Sequence, residues 1–288
     1  MSANTKGAFF MMASMGAFVV NDTFVKLTGG AVPLFQLIFL RGLLATILVL
    51  TVAGYVGAWQ HRINRSDAQV ILLRGGLEVI TAYFFLTALF KMPIGNLTAV
   101  MQVVPLTVTL GAALFLKEAV GWRRMFAIGL GLFGVMLIIQ PGSDGFNIWS
   151  LYAVVAVACV SARDLITRRL SKEVSGIAVT LGTTVSVTIA AGLASLTQEW
   201  TTVTGSEAAY IGCSAFFVVG GYFFSIQVMR VGDVAFTAPF RYTGLIGAMI
   251  IGMVLFDETP TAMTLLGAAI VVGTGLFTLY RGRALSGA

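Results

Sequence analysis

Seven ionisable residues stand where the surrounding chain is otherwise apolar: Asp22, Arg41, Arg74, Glu78, Arg163, Asp164 and Arg241. A charge inside a bilayer is costly unless it faces protein or a water-filled cavity, so each is a candidate for holding a solute or moving a proton. An arginine offers a carboxylate two parallel donors, and a glutamate can receive an ammonium. Tyr83, Gln102 and Tyr222 add aromatic faces with polar tips. An amino acid needs that mixture, an aromatic wall for its side chain and hydrogen-bonding groups for its two charged ends. The candidate substrate-binding set is therefore Tyr83, Gln102, Tyr222, Arg241 and Glu78.

Spacing suggests local partners. Arg74 precedes Glu78 by one helical turn and can pair with it, as can Arg41 from a neighbouring helix. Asp22 lies four residues before Lys26, the same pairing distance. Asp22, Lys26, Arg41 and Arg74 are thus expected as gating or ion-pair residues, with a purely structural pairing as the competing reading. Arg163 and Asp164 fall near a helix end, where a long arginine reaches the headgroups.

The elements that must position these residues follow from composition. Of 288 residues 58% are hydrophobic and only 10% charged, and exchanging the 7 tyrosines for the 33 glycines in that count gives about two thirds apolar, against about 45–50% in soluble domains. A soluble enzyme, nucleic-acid binder or disordered chain is excluded. Cys159 and Cys213 lie in apolar runs without metal-binding spacing, and the single histidine, His61, lies in a loop, so neither metal nor cofactor is expected.

A hydrocarbon core takes about 20 apolar residues per helix. Ten runs fit: Gly7 to Leu27, Pro33 to Gly54, Ala68 to Phe90, Ile94 to Phe115, Met125 to Gln140, Ile148 to Arg168, Ser175 to Leu196, Ala208 to Met229, Val234 to Phe256 and Met263 to Tyr280. They are too long, and too apolar on every face, for barrel strands. The expected fold is an all-α polytopic membrane protein. With ten spans both termini share a side. That side collects Lys6, Arg62, Arg65, Lys117, Arg123, Arg124, Arg168, Arg169, Lys172, Arg230, Arg281 and Arg283, and the other only Lys26 and Lys91 together with Asp144, Glu199, Glu207, Asp257 and Glu258. Basic flanks mark the cytoplasm, so both termini are expected there, and the net charge of +6 is an orientation signal.

The halves repeat. Tyr83-Phe84-Phe85 recurs as Tyr222-Phe223-Phe224, Lys91 as Arg230 and Thr98-Ala99 as Thr237-Ala238, all 139 residues on (222 − 83), which also makes Gln102 and Arg241 equivalent. Leu116-Lys117-Glu118 aligns with Phe256-Asp257-Glu258 after one inserted residue, and Asp22 with Asp164. Five spans is an odd number, so the second copy enters inverted, the construction of many secondary transporters. The units run over 7–140 and 148–280. Pro105 and Pro239 lie inside spans, where each removes a backbone hydrogen bond and permits a kink. They are not equivalent (105 + 139 = 244, a glycine), so bending is expected to differ between halves.

With these features, including the stretch Pro105 to Glu118, "PLTVTLGAALFLKE", and the glycine-rich fifth and tenth spans, the chain resembles the EamA-domain members of the drug/metabolite transporter superfamily, most of all the YddG-type aromatic amino-acid exporters. The resemblance implies two inverted five-helix EamA repeats in the inner membrane, a central cavity lined by the third-span tyrosine, here Tyr83, and export of amino acids by alternating access. Arg241 departs from what is an uncharged position in those relatives, which points to a broader or more polar range. A metabolite importer or a multidrug exporter of the same superfamily is the rival reading. One chain holds the whole site, so no oligomer is required, and the partners are the solute and membrane lipid, with no nucleic acid. Gly129-x-Gly131-x-x-Gly134 spells a dinucleotide fingerprint inside an apolar helix and is read as close helix packing.

Overall fold

The computed structural model describes residues 2–56, 64–142, 146–171, 173–231 and 234–286. His61, Arg62, Asp144 and Lys172 lie outside the described residues, as do the side chains of Arg230, Arg281 and Arg283. Every regular element among the described residues is helical: α1 (Ala3–Leu27), α2 (Leu34–Val56), α3 (Arg65–Lys91), α4 (Ile94–Met101), α5 (Val104–Phe115), α6 (Trp122–Ile139), α7 (Trp149–Thr167), α8 (Gly176–Ser195), α9 (Gly205–Val231), α10 (Val234–Thr237), a 3-10 turn (Ala238–Tyr242), α11 (Thr243–Leu255) and α12 (Ala262–Ser286). Helices satisfy their own backbone groups, which a water-free hydrocarbon layer demands. Ten are long and apolar enough to cross it, with α4 and α5 together forming one span.

Several spans begin earlier than hydropathy alone places them, and capping is the reason. The Ser2 side chain accepts from the Thr5 N–H and starts α1 at Ala3, and the Asn64 side chain accepts from the Asp67 N–H at 2.7 Å and starts α3 at Arg65. Thr204 and Glu207 form a reciprocal box, with Thr204 N–H donating to Glu207 at 2.7 Å and Glu207 N–H to the Thr204 hydroxyl at 3.4 Å, so α9 starts at Gly205.

The extensive helix pairings all join one repeat to the other: α1 with α9, α3 with α7, α2 with α8, α4 with α11 and α6 with α12. Exchanging the first five spans for the last five turns the α1–α9 pair into the α7–α3 pair and each remaining pair into itself. Pairing of this kind is what a two-fold axis between inverted repeats requires. The face carrying both chain ends is called the terminal face below, and the other the distal face.

Small residues bring the helices close. A Cβ on Gly134 of α6 would lie 2.9 Å from the carbonyl oxygen of Gly267 in α12, and Gly131 lies under Leu106 and Thr274. The glycine pattern of α6 is thus a packing seam. Its first member, Gly129, meets nothing within 4 Å.

Both broken spans restart at equivalent positions. Pro105 has no N–H for the Met101 carbonyl, α4 ends there, and α5 begins at Val104. Pro239 opens the second break, and the 3-10 turn carries the disruption to Tyr242, so α11 begins at Thr243, which is 139 residues after Val104 (243 − 104). The restart points match, but the second break is the longer, a five-residue 3-10 turn against residues 102–103 in the first half.

Replacing Gly134 by Leu should lower the thermal midpoint in lipid or detergent and the yield of folded protein, since overpacking a seam costs about 1–3 kcal/mol. Gly129→Ala should leave both unchanged. Equal melting of the two variants would remove the seam.

Candidate functional site: a charge network inside the bundle

The α3–α7 contact brings the two most central charges together. Arg163 Nη1 donates to Glu78 Oε2 at 2.7 Å, while its Nε and Nη2 both donate to Asp164 Oδ1, at 2.9 and 2.8 Å. The Tyr222 hydroxyl of α9 donates to Glu78 Oε1 at 3.4 Å. Glu78 thus pairs with neither Arg74 nor Arg41, the partners that spacing suggested. The reason is packing, since α7 lies along α3 and delivers Arg163 to the level of Glu78. Arg163 does not reach for the headgroups either, and its side chain is 17% exposed.

On α1 and α2 the pattern is a relay. Arg41 Nη1 donates to Asn21 Oδ1 at 3.2 Å, Ser214 donates to the same oxygen at 2.7 Å, and Asn21 Nδ2 donates to Asp22 Oδ1 at 2.8 Å. Arg41 is close enough to Asp22 to act on it electrostatically. The expected Asp22–Lys26 pair does not form. Lys26 Nζ instead donates to Glu258 Oε1 and to the Met92 carbonyl oxygen, because the distal end of α1 sits against the loop that follows α11.

Two arginines of this network keep buried donors in reserve. Nε and Nη1 of Arg74, and Nε of Arg241, have no hydrogen-bond partner among the described residues. Arg241 stands in the 3-10 turn, within electrostatic reach of Asp164 and Arg163. The seven charges picked out by sequence thus form one chain of interactions around Tyr222. Four arginines against three carboxylates leave it one positive charge in excess. An uncompensated buried charge is costly, and an anionic group of a solute would balance it.

Arg41, Glu78 and Tyr222 line a cavity of about 60 Å³ together with Thr183 and Thr184 of α8. That is room for about two waters. It shares Ile38, Ala82 and Val187 with a hollow of about 390 Å³ that holds Tyr83. Tyr83 stacks on Phe35 at 5.8 Å between ring centres, and Phe84 leans on Tyr152 at 5.0 Å. On the other side Tyr222 also borders a largely apolar cavity of about 640 Å³ between α1, α2, α8 and α9. Gln102 is buried at the break between α4 and α5 and lines none of these three cavities.

Asn21 and Glu258 also take part in these contacts although neither was singled out as a site residue, whereas Arg163 was singled out with the headgroups as its expected reach. For Glu258 a signal existed, its alignment with Glu118. For Arg163 the signal was a charge inside an apolar run, and for Asn21 there was none, because its importance comes from the helices it faces.

Inverted repeats with buried charges at their junction define the fold of a secondary transporter. Residues 5–140 and 147–280 match the EamA-like transporter family, and the chain belongs to that family. It is similar to the S-adenosylmethionine uptake transporter of Rickettsia felis, 28% identical over 95% of this chain and 92% of that protein. It is also similar to the riboflavin transporter of Vibrio cholerae, 30% identical over 70% of this chain and 68% of that one. The pseudopaline exporter of Pseudomonas aeruginosa is 22% identical over 92% of this chain and 93% of its own length. A solved crystal structure superposes with a TM-score of 0.67 at 20% identity, covering 96% of this chain and 98% of its own, a likeness of fold alone.

Glu78→Gln should lower the melting midpoint markedly, since removing one partner of a buried pair costs about 3–5 kcal/mol. Adding Arg163→Gln should recover part of the loss. Strictly additive effects in this double-mutant cycle would mean that the two side chains are not coupled.

Proposed function

We propose that the chain is a secondary transporter for small solutes that join an α-amino-acid headgroup to an aromatic or heteroaromatic body. The observation that carries this reading is the buried cationic excess, with Nε and Nη1 of Arg74 free to hold a carboxylate. Glu78, reached through Tyr222, is placed to answer an ammonium. The aromatic hollow beside it, with Tyr83, Phe35 and Phe84, suits a planar ring. Aromatic amino acids belong to this solute class. So does S-adenosylmethionine, the named substrate of the Rickettsia relatives, whose methionine part is an α-amino acid and whose adenine is a heteroaromatic ring. Riboflavin has the ring without the headgroup.

In this reading the protein lies in the plasma membrane with both termini in the cytoplasm, as the distribution of Lys and Arg supports. The expected export of amino acids becomes exchange along whichever gradient is imposed, the behaviour of a carrier whose halves alternate.

Purified protein in liposomes loaded with unlabelled solute should accumulate labelled S-adenosylmethionine, tryptophan or phenylalanine by saturable counterflow. Arg74→Gln should raise KM at least about tenfold for solutes with an intact carboxylate, since a hydrogen bond to a charged group is worth about 1.5–3 kcal/mol. Inhibition by tryptamine, which lacks the carboxylate, should change little. Absence of counterflow with every α-amino-acid solute would overturn the reading.

A further inference from the structure

Two ion pairs at opposite faces of the bundle are related by the internal repeat. The spacing of 142 that carries Asp22 onto Asp164 carries Lys26 onto Arg168, and the spacing of 140 that aligns the loops after α5 and α11 carries Glu118 onto Glu258. The backbone obeys the same alignment. Lys117 and Asp257 both adopt the left-handed conformation, with φ of 55° and 52°. The N–H groups of Glu118 and Glu258 turn back onto the carbonyls of Ala112 and Gly252 at 3.2 and 3.0 Å, again 140 residues apart. Each base then reaches the glutamate of the opposite repeat: Lys26 Nζ lies 2.5 Å from Glu258 Oε1, and Arg168 Nη1 lies 2.9 Å from Glu118 Oε1.

The two pairs differ in solvent access. At the distal face the Lys26 and Glu258 side chains are 12% and 16% exposed, and at the terminal face those of Arg168 and Glu118 are 46% and 53% exposed. The distal pair is also tied to the start of α4, where Ile94 N–H donates to Glu258 Oε2 at 2.8 Å and Lys26 donates to the Met92 carbonyl oxygen at 2.7 Å. Further distal contacts join the repeats around it. The Gln36 amide donates to the Thr201 carbonyl oxygen at 2.8 Å and accepts from its N–H at 3.0 Å. A solvated pair contributes little to holding two helices together, whereas removing one partner of a desolvated pair leaves an uncompensated buried charge and is strongly unfavourable.

We propose that Lys26–Glu258 and Arg168–Glu118 are the two gates of one alternating-access cycle. Here the distal gate is shut and desolvated, and the terminal gate is the same latch, formed but bathed in water. Because the elements that carry them are equivalent, the movement that draws α1 away from the loop after α11 brings α7 onto the loop after α5, and the two pairs exchange solvation. A pair formed in one state and weakened in the other shifts the balance between states, and its loss should favour opening at its own face. The gates operate whatever the solute is.

The experiment reads access without any substrate. Cys159 and Cys213 are replaced by Ser, and a single reporter cysteine is placed at Ala82, which lines both the polar cavity and the aromatic hollow. Its reaction with a membrane-impermeant thiol reagent is followed from each side of the membrane separately. Lys26→Ala should raise labelling from the distal side about tenfold, the effect of removing an interaction specific to one of two states. The charge exchange Lys26→Glu with Glu258→Lys should return it toward the starting rate, which a merely misfolded variant would not do. In separate proteins without the reporter, cysteines at 26 and 258, or at 118 and 168, are joined by a short reducible bifunctional reagent. Either crosslink should abolish counterflow, and reduction should restore it. Unchanged distal labelling in Lys26→Ala would overturn the proposal, as would counterflow that survives either crosslink. Failure of counterflow before any crosslinking would count against the proposed solute class alone, because the labelling arm does not depend on it.

Discussion

A hydrocarbon layer contains no water with which to satisfy a polar group, and the architecture follows from that constraint. It makes helices obligatory, and it turns each buried charge into a demand that a neighbouring helix must meet. Glu78 is answered by Arg163 and Tyr222, Asp22 by Asn21, and Arg41 by Asn21 in turn. These answers come mostly from the opposite repeat or from a different helix, so the charges hold the repeats together as they define the site. The sum remains unbalanced by one positive charge, and an anionic solute would complete it.

Odd duplication supplies the second organising fact. Five spans copied and inverted give pairings that a two-fold axis maps onto themselves, so geometry at one face has an equivalent at the other. Equivalence of sequence does not mean equivalence of state. The breaks at Gln102 and Arg241 have the same position and different side chains, one neutral and one charged, which puts the cationic excess on the second repeat. Differences of this kind allow a symmetric scaffold to hold an asymmetric solute.

Packing seams explain why the network can be both close and movable. Gly134 against Gly267 lets α6 and α12 meet backbone to backbone, with Ile138, Ile270 and Val271 packed around the contact. The breaks in the fourth and ninth spans free carbonyls that a continuous helix would use, and they lie beside the charges.

The sequence by itself determined the ten spans, their odd duplication and the seven charges, because hydropathy, repeat spacing and the rarity of charge in apolar runs are local properties. It also contained the equivalence of Glu118 and Glu258. For Glu78 it offered Arg74 one turn away and Arg41 on the neighbouring span, and for Asp22 it offered Lys26, because periodicity fixes neighbours on one helix and depth only suggests those on another. The tertiary structure decided the actual partners, Arg163 for Glu78 and Glu258 for Lys26. Which helix lies alongside, and how it is rotated, depends on contacts between residues far apart in the chain, such as Gly134 with Gly267, and no pattern within one span encodes them.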